Sequence, residues 1–159
     1  MYAEQVIVLL VLAAAGFLAQ DLPRKATTET KHLTLTTSAS PAAPGKPVTL
    51  AVDVVPKPKM HVYSPGQVGY IAITLTLDAA PGFTAAKAKY PAGEKIYMPI
   101  LKETQIVYQK PFRIVQNVTV RQGSRPLTIT GTLRYQACDD TICYLPTTVP
   151  LAWSLASQK

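Results

Sequence analysis

With 159 residues the chain is long enough for one domain with a buried core and short for two. Fourteen prolines and eight glycines, with Thr and Val frequent and few long helix-forming runs, exclude a helical bundle and favour short strands joined by turns. The formal charge of +7 is scattered, without a basic stripe interleaved with aromatics, so nucleic-acid binding has no support and the charge reads as a solvated surface.

The chain opens on "VIVLLVLAAAGFLA" (6–19), an apolar run of signal-peptide length and shorter than the roughly 20 residues of a spanning helix. Residues 1–20 are therefore expected to form a signal peptide or an amino-terminal membrane anchor, and the chain to be exported. The preceding "MYAEQ" carries Glu4 and no Lys or Arg, an atypical start, while Ala13-Ala14-Ala15 supplies a small-residue cleavage pattern. Residues 21–31, rich in Pro, Thr and charge, read as a linker, and 32–157 as one domain.

Within that domain alternation marks strand after strand. "HLTLTTS" sets Leu33 and Leu35 on one face, and "VTLAVDVV" sets Val48, Leu50, Val52 and Val54 together, with "SPAAPGKP" as the turn between them. "YIAITLTLD" (70–78) repeats the pattern with Ile71, Ile73, Leu75 and Leu77; "FTAAKAKY" is weaker; "TQIVYQKPFRIVQNVTV" holds one or two strands bent at Pro111. "RPLTITGTLRYQA" and "TTVPLAWSL" close the domain. Strands at this spacing predict an all-β, immunoglobulin-like sandwich of two antiparallel sheets. Two segments, "KPKMHVYSPGQVG" (57–69) and "YPAGEKIYMPILKE" (90–103), do not alternate and read as shaped loops, where a site would be built.

Both cysteines lie in "RYQACDDTICYLP" (134–146). They admit three readings: a structural staple, part of a metal site, or a disulfide made and broken in use. Along "LTITGTLRYQAC" the odd positions Leu127, Ile129, Leu133 and Tyr135 are apolar, so Cys138 falls on the face away from the core. The last strand also carries its apolar residues at odd positions, Val149, Leu151, Trp153 and Leu155. A hairpin that pairs Cys138 with Cys143 sets odd against even, so the register must slip through a bulge or irregular turn around 138–147. A disulfide across so small a loop stabilises only modestly, because loop-closure entropy grows with the logarithm of loop length. Asp139 and Asp140 add negative charge beside both sulfurs. That charge disfavours thiolate and holds the cysteines at or above their ordinary pKa of about 8.5. Such a pair suits a disulfide that waits for a partner's thiolate.

The motif "YQACDDTICYLP", with "VPL" downstream and "MHVYSPG" and "VYQKPF" upstream, resembles the amino-terminal periplasmic domain of the thiol:disulfide interchange protein DsbD, over about residues 57–155. The resemblance implies an immunoglobulin-like fold and a redox-active Cys138/Cys143 pair, reduced by a membrane-embedded thiol reductase and oxidised by periplasmic thioredoxin-like proteins. It implies a site lined by His61, Tyr63, Asp139, Asp140 and Tyr144. It also implies a cap loop in "GEKIYMPILKE", with Tyr97, Met98, Ile100 or Leu101 as the shielding side chain. Full-length members of the family also carry a multi-span membrane domain and a thioredoxin domain; either separate proteins supply these functions or this chain does a different job. No cofactor or metal is expected, localisation is periplasmic, and membrane contact runs only through the amino-terminal segment if uncleaved.

Two rival readings remain. Cys138, Cys143, Met60, His61 and Met98 are soft donors suited to Cu(I), as in an exported copper-handling module. Zinc fits less well, because the cysteine spacing and the separated His32 and His61 make no usual ligand set. The other rival is a non-catalytic sandwich with a stapled surface loop. Hydrolysis has no support, since no Ser/His/Asp set and no paired carboxylates with a general-base partner stand out.

Overall fold

The computed structural model describes residues 25–41, 46–121 and 127–155, and every regular element among them is a strand. The expected signal or anchor at 1–20 lies outside these residues, as do the middle of the "SPAAPGKP" turn (42–45) and the last two residues of the 32–157 domain. Among the described residues no helix is long and apolar enough to cross a membrane.

In chain order the strands are β1 (Ala26–Glu29), β2 (Leu33–Ala39), β3 (Val48–Pro56), β4 (His61–Tyr63), β5 (Thr74–Leu77) and β6 (Phe83–Ala85). They continue with β7 (Glu94–Met98), β8 (Glu103–Tyr108), β9 (Phe112–Val120), β10 (Leu127–Tyr135), β11 (Ala137–Cys138) and β12 (Thr147–Leu155). A five-stranded sheet runs β1-β2-β3-β9-β6, and a three-stranded sheet runs β12-β10-β5. A four-stranded sheet, β11-β4-β8-β7, continues from the end of β10, and all the strand pairings are antiparallel.

The two layers meet through the alternating residues. Leu33, Leu35, Val48, Leu50, Val52 and Val54 are fully buried on one side, against Ile129, Leu133, Tyr135, Leu151 and Trp153 on the other. Each large apolar side chain so buried contributes roughly 1.5–3 kcal/mol. Trp153 Nε1 donates to the Ala51 carbonyl at 3.1 Å, and Thr37 Oγ1 donates to the Ala152 carbonyl at 3.1 Å, so polar atoms at the seam are satisfied across the layers. This is the predicted immunoglobulin-like sandwich.

Several elements differ from the sequence reading. Ala26–Glu29, placed in the linker, pairs with β2 as an edge strand. The strand expected over 70–78 begins only at Thr74, because Tyr70 turns away to pack on Tyr63. The weak strand over 83–90 ends at Ala85; beyond it, Ala86 still bonds to Asn117 and Gln116 of β9, and Lys89 bridges to Val115. The segment 90–103, read as loop, contains β7, which forms a hairpin with β8. Glu94–Met98 has no fully buried face, so it carries no period-2 signal to read.

Candidate functional site

β10 pairs with β12 odd to odd, from Leu127–Leu155 to Tyr135–Thr147, which unites the two apolar faces. Beyond Tyr135 the register changes. Two residues separate Tyr135 from Cys138 and three separate Cys143 from Thr147, and Cys138 faces Cys143. The extra residue on the return side is the expected slip. Tyr144 N donates to the Ala137 carbonyl and Asp139 N to the Ile142 carbonyl, so the cysteines sit between these bonds as a non-hydrogen-bonded pair. That geometry draws Cα atoms close, about 4.5 Å in general and 4.0 Å here, and the two cysteines form a disulfide.

The expected outward phase of Cys138 does not hold: the residue is 1% exposed. The chain leaves β10 at Gln136 and pairs in a different sheet, where Ala137 faces Val62 and Cys138 faces His61. The alternation of β10 therefore no longer decides which way Cys138 points. Cys138 packs with Tyr63 and Val107, whereas Cys143 is exposed.

Tyr63 spans the pair. Its hydroxyl lies 3.1 Å from Cys138 Sγ and 3.3 Å from Cys143 Sγ, and it must be the donor, because disulfide sulfurs carry no proton. Burial, then the neighbouring Tyr70 and Glu103, push the Tyr63 phenol up to about 12, so it remains protonated at neutral pH. Tyr70 stacks on it at 4.3 Å. Gly66 and Gly69 turn the chain back to allow this, with φ of 98° and 84° that L side chains rarely adopt. Tyr70 in turn donates to Glu103 Oε1, and Gln105 Nε2 donates to the same oxygen at 2.7 Å. These two bonds hold the Glu103 carboxyl below its usual range.

The aspartates divide their roles. Asp139 Oδ1 accepts from Thr141 N, Thr141 Oγ1 and Ile142 N, all at 2.8 Å, and Oδ2 accepts from the Tyr144 hydroxyl at 2.8 Å. Those four donors hold its carboxyl far below the ordinary carboxylate range. Asp139 thus knits the turn between the cysteines, while Asp140 is exposed beside them.

A cavity of about 530 Å³ opens over the disulfide. Of the residues expected at the site it is lined by His61, Tyr63, Asp139, Asp140 and both cysteines, with Met98, Ile100 and Leu101 from the cap segment. The Tyr144 ring lies outside the lining, against His32 (ring centroids 4.4 Å apart) and under Lys31, and its hydroxyl reaches the site through Asp139. Tyr97 and Met60 are also outside it. The cap is the tip of the β7–β8 hairpin, closed by Lys102 at φ 52°. Its Ile100 is 80% exposed and stands at the rim. Tyr70, Gln105 and Ile142 also line the cavity and were missed. "PGQVGY", with its two turn glycines before an aromatic, was the signal for Tyr70; Gln105, polar within an apolar run, had none.

With Cys138 and Cys143 bonded to each other, no group of three or more His, Cys, Asp or Glu side chains among the described residues is arranged to hold a metal ion. His61 is 4% exposed, and its Nε2 has no hydrogen-bond partner. Burial lowers its pKa against the opposing pull of Asp140 and Asp139.

Comparison with known proteins places this geometry. No curated protein sequence matches the chain. Among solved structures it is similar to the reduced form of the DsbD N-terminal domain of Neisseria meningitidis: TM-score 0.51, 17% identity, covering 77% of this chain and 86% of that one. It is also similar to the N-terminal periplasmic domain of ScsB from Proteus mirabilis, with TM-score 0.54 and 16% identity over 82% of this chain and 50% of that one. At these identities the likeness establishes the fold. The family model described as "Thiol:disulfide interchange protein DsbD, N-terminal" matches residues 29–152. The chain therefore belongs to the family of DsbD N-terminal domains and is a thiol:disulfide interchange module.

Proposed function

We propose that this domain works in the periplasm as an electron relay, in which Cys138 and Cys143 take reducing equivalents from a membrane-embedded thiol reductase and pass them to thioredoxin-like proteins. The observation that carries the reading is the asymmetry of the pair: one sulfur belongs to an exposed residue at the rim of an apolar cavity, the other to a buried residue beneath a protonated phenol.

A reductase thiolate attacks Cys143 Sγ, the accessible sulfur, and the Cys138–Cys143 bond breaks. Cys138 leaves as a thiolate, whose developing charge receives the Tyr63 hydrogen bond already in place at 3.1 Å. The second thiol of the reductase then attacks the mixed disulfide at its own sulfur and releases Cys143. Two electrons and two protons have reached the pair. In the return half, the Cys143 thiolate attacks the disulfide of an oxidised thioredoxin-like protein, and Cys138 resolves the mixed disulfide. Exposed Ile100, Leu101 and Ile142 surround the sulfur that must be approached, and they supply apolar contact for either partner.

The test is trapping. A Cys138→Ser variant should accumulate a mixed disulfide through Cys143 with a thioredoxin-like protein, and the wild-type pair should equilibrate with that protein at a potential above about −300 mV. A lower potential together with no trapped adduct would return the disulfide to a structural role.

A further inference from the structure

We infer that the reduced pair, together with His61, forms a binding site for a thiophilic monovalent cation of the Cu(I) type. The observation is one of register. His61 faces Cys138 across β4 and β11, and Cys138 faces Cys143 across the hairpin. Residues directly opposed in an antiparallel sheet project to the same face with Cβ atoms about 4.5–5.5 Å apart. An imidazole and two sulfurs therefore stand in one row, and all three line the cavity.

A second observation points to a ligand. His61 is 96% buried, yet its Nε2 has no partner, although buried polar atoms are ordinarily satisfied. Met98 adds a thioether to the wall of the same cavity from the hairpin tip. Two thiolates, an imidazole and a thioether form a soft donor set that selects Cu(I). Zn(II) in a closed site wants four N, O or S donors of the thiolate, imidazole or carboxylate kind; the row supplies three, and of the two carboxylates lining the cavity Asp139 is taken up by four hydrogen bonds and Asp140 is exposed to water.

In the oxidised chain the sulfurs are bonded to each other and cannot both ligate. Exchange opens the site. A partner dithiol is oxidised to its disulfide as the Cys138–Cys143 bond takes up two electrons and two protons. Cu(I) then displaces the two thiol protons and binds both thiolates, with Tyr63 placed to donate a hydrogen bond to them. Cation binding is thus gated by the redox state of the pair. This inference rests on the proposed function only in requiring that the pair be reducible.

The experiment is an anaerobic competition of the full chain with the coloured Cu(I)–bicinchoninate complex. The reduced protein should withdraw about one equivalent of Cu(I) and the oxidised protein none. His61→Ala should bind at least about tenfold more weakly. X-ray absorption of the reduced, Cu(I)-loaded wild type should show nitrogen as well as sulfur in the coordination shell, a readout independent of whether His61→Ala folds. Unchanged colour with the reduced protein, a sulfur-only shell, or tighter capture of Zn(II) in a parallel competition each overturn the assignment. Exchange with a thioredoxin-like protein, measured without metal, separates the two readings. A chain that exchanges but leaves Cu(I) with the dye loses this inference alone.

Discussion

Tyr63 has two neighbours that matter: the sulfurs it donates to and the Tyr70–Glu103 pair that helps keep it protonated. Tyr63→Phe removes the donor and leaves the ring. Hydrogen bonds to charged groups are worth about 1.5–3 kcal/mol, so reduction of the disulfide by excess dithiothreitol should slow roughly 10- to 100-fold. Single-turnover kinetics check this, and an unchanged rate would show that the leaving thiolate needs no such donor. The histidines make a separate prediction. His32 is buried against Tyr135 and Tyr144 with neither ring nitrogen partnered, and burial, then Lys31 and Lys57, lower its pKa; burial also lowers that of His61. A histidine with a depressed folded pKa binds more protons when unfolded. Its contribution is therefore complete above about pH 6.5 and is lost as pH falls below that value. The thermal midpoint should drop by roughly 2–6 °C between pH 7.5 and 5, and His32→Phe should flatten part of that slope. Asp139 acts in a different window, since its lowered pKa leaves the turn intact until well below the ordinary carboxylate range.

Among the elements, β5 shows how closely the three-stranded sheet is fitted. A Cβ on Gly131 of β10 would lie 2.4 Å from the Thr76 carbonyl oxygen and 3.0 Å from Leu77 Cα. Both are backbone atoms of the paired strand and cannot yield without moving it. Gly131→Ala should therefore cost about 1–3 kcal/mol, seen as a lower urea midpoint with an unchanged slope. Legibility varied with strand type. β2, β3, β10 and β12 have one buried face and period-2 patterns that can be read directly. β4 and β11 have three and two residues, too few for a period, and β7 has no buried face. These short or edge elements form the floor and the cap of the site, so the site was less legible than the core.

At the scale of the whole molecule, the disulfide closes too small a loop to hold the sandwich together. Its loss should cost only about 2 kcal/mol. The Cys138→Ser/Cys143→Ser double variant should keep the native near-ultraviolet circular dichroism of Trp153, buried between the layers. Collapse of that signal would mean that the bond is a staple after all. The large buried residues determine the sandwich, and they are visible in the chain because alternation is a local property: residues two apart must share a face wherever a strand has one side in the core. The need for a register slip before the cysteines was likewise legible, since two odd-phase strands cannot meet through an odd–even pair. What the tertiary structure alone decided is the environment of each sulfur. Cys138 is buried because it leaves the sheet of β10 for that of β4, and it meets His61, Tyr63 and, behind Tyr63, Tyr70, Glu103 and Gln105 only because β4, β8 and β11 pair there. Those residues are up to 77 positions from Cys138 in sequence, and no local pattern can announce a contact made by pairing at that distance.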